Sequence, residues 1–230
     1  MVGEVDVLDA LAKDYYQWGE CEALSYRPDQ PNIFGHHLIT NLYDQCVESR
    51  ILHPLFCGMT ALHEDAICGY LATRPIVLMV ERGLPKGNQS SIAISGNRRV
   101  VGFAFVTAFV GVPIQNSGPQ MAGPRSAVGG YGMFRWAWGS RTQEICTMLG
   151  LCLLFNKYRL LSLHGQAYSH NRLTTRFMSK FGFRETGLIP SFLPERKPDG
   201  SIQLTDCRML TLTKKTLEEY VTRQFLDLVK

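Results

Sequence analysis

A seventeen-residue apolar helix set between two β-type runs constrains this chain more than any other feature. From Thr142 to Tyr158, the residues Ile145, Met148, Leu149, Cys152 and Phe155 fall on one stripe at helical spacing. Tyr131–Gly139 (YGMFRWAWG) reads as a strand before it and Leu160–Tyr168 as a strand after it. Upstream, Ile76–Val80 is a continuous β-type run. A polar loop over 83–97 links it to a second strand over 99–110. Downstream, 171–181 reads as a helix stopped by Gly182. Residues 187–193 and 202–212 read as a hairpin turned at Pro198-Asp199-Gly200. The order is mixed α/β, with a central mixed sheet flanked by helices.

The flanking segments are predicted as follows. Asp6 or Asp9 caps a first helix over 9–24, residues 26–32 form a loop, and a second helix runs from about Phe34 to Arg50. Residues 51–73 hold a short helix within irregular structure. Residues 111–132 carry six glycines and three prolines and read as a long insertion or flap. Thr216 and Glu219 form a capping box for a last helix to Val229. The expected organisation is one domain over 1–212, with a helical part over 1–74 and a sheet core over 75–212, followed by a C-terminal helix over 213–230.

Composition narrows the function classes. At 45% hydrophobic and 19% charged, the 230 residues can build a substantial core, and no apolar run approaches a membrane span. The acidic start, Met1-Val2-Gly3-Glu4-Val5-Asp6, lacks the apolar stretch of a secretory signal, so a cytoplasmic protein is expected. Seven cysteines without a Cys-x-x-Cys fit a reducing compartment with free thiols. His53, Cys57, His63 and Cys68 match no usual zinc spacing, and no metal is expected. The net charge of +4 is too small to imply nucleic acid. It is split, however: residues 1–68 carry a net −8 and residues 69–230 a net +12.

Residues 171–183 (NRLTTRFMSKFGF) hold Asn171, then Thr174 three on, Phe177 and Met178 six and seven on, and Gly182-Phe183 at eleven and twelve. This ordered set resembles the closing motif of the GNAT superfamily, the acyl-CoA-dependent N-acetyltransferases. The strand after it (184–190), the terminal hairpin and Asp206 resemble the family as well. So does the strand–helix–strand order over about 75–212. The resemblance implies a GNAT-like fold, acetyl-CoA as the acyl carrier and an amine as acceptor. It places a splayed strand at Phe134–Trp138. The helix start at Ser140–Gln143 would meet the pyrophosphate, with Ser140 and Gln143 as a capping box and Arg141 as a cation. The implied cofactor-binding residues are Trp136, Ala137, Trp138, Ser140, Arg141, Thr142, Gln143 and Asn171. The acidic front, which would line the acceptor side, implies a cationic acceptor.

The sequence also departs from the family. The phosphate loop keeps only the middle glycine, as Trp136-x-x-Gly139-x-Arg141. Met178 stands where many members have a tyrosine acid, as in relatives resembling the ribosomal-protein acetyltransferase branch. Glu81, His164 and Tyr168 are candidate general bases; the structural reading is preferred for each, and no catalytic residue is assigned. Ser162, His164, Gln166 and Tyr168 share one strand face. Phe134, Trp136 and Trp138 form either a stacking platform or a piece of core. The alternative to a transferase is a catalytically degenerate GNAT-fold binding or structural protein. Divergent chains of this kind resemble those encoded by bacteriophages, some acting in assembly, which would place the protein in host cytoplasm or virion. In that case Leu217, Tyr220, Val221, Phe225 and Leu228 of the last helix would dock on the protein's own domain, on a partner or on a second copy.

Overall fold

The computed structural model describes residues 15–26, 37–57, 59–82, 93–94, 98–110, 125–197 and 199–228. Among the described residues nine strands form one mixed sheet. They are β1 (Tyr15–Trp18), β2 (Cys21–Tyr26), β3 (Ile76–Arg82), β4 (Ala93–Ile94), β5 (Arg98–Val110), β6 (Arg125–Met133), β7 (Leu160–Tyr168), β8 (Arg184–Arg196) and β9 (Ile202–Thr213). The order across the sheet is β1-β2-β3-β5-β6-β7-β9-β8, with β4 paired to β5. The β6–β7 pair is parallel and every other pair is antiparallel.

Both faces of the central strands are covered, which is why β3 reads as an unbroken apolar run. Val77 and Met79 face one cluster, while Ile76, Leu78 and Val80 face the other. The second cluster packs under α1 (Leu38–Glu48), α2 (Leu52–Leu55) and α3 (Glu64–Ala72). Leu38, Leu42 and Cys46 supply the buried stripe of α1 at i, i+4, i+8 spacing. The first cluster packs under α4 (Arg141–Lys157), α5 (Arg172–Lys180) and α6 (Lys214–Leu228). Helix α4 buries far more than the expected stripe, adding Cys146, Thr147, Leu151, Leu153 and Leu154, because it lies on the sheet and also meets α6.

Several expectations are corrected. The expected helix over 9–24 is instead the β1–β2 hairpin where the chain is described, closed at Gly19 with φ +56 between Trp18 and Cys21. Its earlier part, 9–14, lies outside the described residues. The third core strand is Arg125–Met133, so 125–132 is sheet rather than insertion; 111–124 lies outside the described residues. Its glycines are structural: a Cβ at Gly130 would run into the Phe105 ring on the neighbouring strand, and one at Gly132 would sit 2.7 Å from Leu55. An aromatic ring laid over a cross-strand glycine fills the missing side-chain volume. The last helix begins at Lys214, one turn before its assumed cap. Thr213 and Thr216 cap it reciprocally, each backbone N–H donating to the other's hydroxyl at 3.2 Å.

Helix α6 docks on its own protein through buried Leu217 and Tyr220 and half-buried Val221. The side chains of Phe225 and Leu228 lie outside the described residues. Tyr220 meets Phe181 edge-on at 5.1 Å. Gly182, with φ +94, lets the chain end α5 close beneath Thr216.

Leu217→Ala should therefore lower unfolding free energy by about 2–5 kcal/mol in urea titrations, the range for a large-to-small change in a core. A pH dependence follows from Tyr220. Burial, reinforced by Glu144, pushes its phenol up to about 12, against about 10 in an unfolded chain. The resulting stabilisation is complete below pH about 10 and is lost as pH rises towards about 12. Urea midpoints measured across that window should fall less steeply for Tyr220→Phe than for the wild type.

Candidate active site

The site begins where two parallel strands stop pairing. β6 and β7 are in register from Arg125–Leu160 to Val128–His164, and beyond that pair they part. Gly129–Met133 on one side and Gly165–Tyr168 on the other then have no strand between them. A cavity of about 330 Å³ occupies the opening. It reaches Trp138, Gln143, Asn171, Thr174 and Phe177 on the α4–α5 side, and Arg50, Ile51, Pro54 and Leu55 on the α1–α2 side. It therefore runs through the sheet.

The parted strand is Gly129–Met133, not Phe134–Trp138, because Phe134 closes β6 by donating to Val101 O at 2.9 Å and a single 3-10 turn, Arg135–Ala137, follows. The turn disperses the three aromatic residues that were read as one set. Phe134 is buried in the core. The Trp136 indole lies under the Arg99 guanidinium, 4.3 Å from its centroid. Trp138 is half exposed at the cavity wall, and its Nε1–H donates to Met133 O at 2.8 Å. That bond occupies one backbone acceptor at the mouth of the gap.

The start of α4 is a closed capping box. Ser140 Oγ accepts from the N–H of Gln143 at 3.1 Å and donates to Ala137 O at 2.7 Å. Gln143 Oε1 in turn accepts the N–H of Gly139 at 2.8 Å. Thr142 Oγ1 donates to Glu81 at 3.1 Å, and Glu81 also holds Arg99 through a salt bridge. Gly139, Ser140 and Arg141 line a second, polar cavity of about 380 Å³ that reaches Tyr220 and Gln224 of α6. Of the residues predicted for the cofactor, Trp138, Gln143 and Asn171 line the first cavity and Ser140 and Arg141 the second. Trp136, Ala137 and Thr142 line neither. Asn171 caps α5, its Oδ1 accepting from Thr174 N–H at 3.2 Å.

The three candidate bases separate. Glu81 is held by Arg99 and Thr142 outside the cavity. The Tyr168 hydroxyl donates to Pro194 O at 2.8 Å, its ring is buried, and desolvation pushes the phenol up to about 12. His164 alone of the three lines the cavity. Its Nδ1 is 2.9 Å from Thr211 Oγ1 and its Nε2 is 3.1 Å from Ser162 Oγ, which continues to Ser126 Oγ at 2.7 Å. Hydroxyls donate or accept, so either imidazole tautomer is satisfied there.

Among the described residues no Asp or Glu lines the cavity, so the basis for a cationic acceptor is absent from its wall. Glu22, one of the acids of the acidic front, is buried in an ion pair with Arg82. Cys57 is buried beside Tyr168, Leu193 and Cys207, with its thiol pushed up to about 11 by burial, and His63 caps α3. The roles of Arg50 and Leu55 were not foreseen. Both lie in a segment left irregular or assigned to a helix end, and no local pattern marks them as neighbours of β6.

No protein-family model matches the sequence and no curated protein matches it. Among the described residues no helix is long and apolar enough to cross a membrane. Solved structures do match. The ribosomal-protein-S5-alanine acetyltransferase from Vibrio fischeri is 7% identical with a TM-score of 0.56, over 87% of this chain and 97% of that one. RimJ from Mycobacterium smegmatis, solved with CoA-disulfide, is 14% identical with a TM-score of 0.55, over 89% of each chain. A GNAT-family acetyltransferase from Bacillus anthracis is 9% identical with a TM-score of 0.53, over 87% of this chain and 99% of that one. The mixed sheet flanked by helices is thus a fold shared with these acetyltransferase structures.

Proposed function

We propose that the chain is an N-acetyltransferase-like protein that binds acetyl-CoA across the β6–β7 opening and passes the acetyl group to an amine. The observation that carries this reading is the parting of the strands beyond Val128–His164, with a through-going cavity in the gap. An extended pantetheine arm fits such an opening because parted strands leave backbone donors and acceptors along both edges. Trp138, Gln143 and Asn171 would flank the arm, while Ser140, Arg141 and the N–H groups of Arg141 and Thr142 would meet the phosphates. When bound, the thioester supplies the acyl group. The chain's own contribution is to align the amine with it, to exclude water with Phe177, Met178 and Leu55, and to hold His164 in a hydroxyl network at the gap.

A second reading is a catalytically degenerate binding protein on the same fold. It is favoured by the closed cap, which takes the Gly139 amide out of the phosphate site, and by the Trp138 indole on Met133 O. The two readings diverge on ligand binding. Under the first, acetyl-CoA at one hundred times its Kd should stabilise the protein by about 2.7 kcal/mol in a thermal-shift or urea experiment. Gly165→Leu should abolish that gain with little loss of stability. A Cβ at Gly165 meets nothing closer than Gly129 O at 3.8 Å, so the new side chain would enter the cavity rather than the core. An unstabilised wild type would leave the scaffold.

The cap gives a further check. Gln143→Ala should cost about 1 kcal/mol of stability, the net worth of a hydrogen bond. It should also raise affinity for CoA in calorimetry, because the Gly139 N–H is released. Unchanged affinity would remove the phosphates from this loop.

A further inference from the structure

Helix α1 ends in a Schellman motif. The Arg50 N–H donates to Val47 O and the Ile51 N–H to Cys46 O, each at 3.0 Å, with Arg50 itself at φ +55. Glycine is the default residue at this left-handed position because a Cβ is strained there. This chain instead places an arginine at the one point where α1 turns towards the cavity. Among the described residues Arg50 has no ion-pair or hydrogen-bond partner for its guanidinium, although it lies two residues from Glu48. It is also the one Asp, Glu, Lys or Arg among the described residues that line the cavity, where its neighbours Ile51, Pro54, Leu55 and Phe105 are apolar.

We infer that the acceptor is an amine that also bears a carboxylate on an apolar body, an apolar α-amino acid in its simplest form, with Arg50 as the carboxylate's counter-ion. The inference rests on the acyl-transfer reading and names the substrate class of the same site. A guanidinium recognises a carboxylate in a forked pair, and Arg50 is exposed at the cavity rim, where a carboxylate entering from solvent can reach it. A polyamine or a lysine-rich peptide would meet a like charge at this wall with no carboxylate to offset it. Ile51, Pro54, Leu55 and Phe105 match an apolar side chain. The transfer balances without a further reagent: the amine nitrogen forms the amide bond, the carbon–sulfur bond breaks, and the proton lost by nitrogen matches the one taken by the departing thiolate.

The test is calorimetry on the whole chain with three probes: N-acetyl-L-phenylalanine, its C-terminal amide and spermidine. Wild type should bind the acid at least about tenfold more tightly than the amide, and spermidine more weakly than the acid. Arg50→Gly should abolish the preference for the acid while its melting temperature holds or rises, since glycine relieves the left-handed strain. Equal binding of acid and amide, tighter binding of spermidine, or undiminished preference in Arg50→Gly would each overturn the inference. So would no binding of the acid. Thermal shifts with acetyl-CoA on the same samples report the transferase reading separately, so failure of one is not mistaken for failure of the other.

Discussion

Backbone hydrogen bonding sets the terms of this structure. A buried peptide group left without a partner is costly, so strands inside a sheet normally pair to their ends. Here β6 and β7 pair through four register positions and then separate. One of the groups along the open edges is answered by the protein itself, through the Trp138 indole on Met133 O. Everything notable about the site lies around that opening: the cavity through the sheet, the helix starts of α4 and α5 beside it, and the turn of α1 into α2 at its far mouth.

The start of α4 is tied to the sheet by a continuous set of polar contacts. Trp136 lies under Arg99, Arg99 pairs with Glu81, and Glu81 accepts from Thr142. Ser140 and Gln143 then close the helix end on itself. A partly buried network of this kind fixes geometry more than it adds stability. Its chemistry explains why Glu81 and Thr142, both plausible site residues in isolation, act in positioning the helix: their polar atoms are already in use.

Much of the fold was legible because its strongest signals are local. The apolar period of α4, the Asn171 cap with Gly182 after it, and the β3 run each fix an element within a few residues. What escaped was set by tertiary contact. Tyr15, Tyr16 and Trp18 continue a near-helical spacing from Leu8, Leu11 and Ala12 in the chain, yet 15–18 pair in a hairpin, because Gly19 permits the turn and β2 pairs with β3. Gly129, Gly130 and Gly132 read as loop because their defining partners, Phe105 and Leu55, are far away in sequence. The same non-locality hid the site: the strand edge was placed five residues too late, and Arg50 carries no signal without the fold that brings α1's end to β6.

The glycine strip on β6 limits how this opening can change over time. A methyl group at Gly130 would meet a ring and one at Gly132 would meet leucine methyls, so single-step enlargement on that face is barred unless Phe105 or Leu55 shrinks first. Gly165, across the gap, has open space beside it. Evolutionary or engineered narrowing of the passage is therefore far more accessible from the β7 wall than from the β6 wall, and variation in what the passage admits should accumulate on that one side.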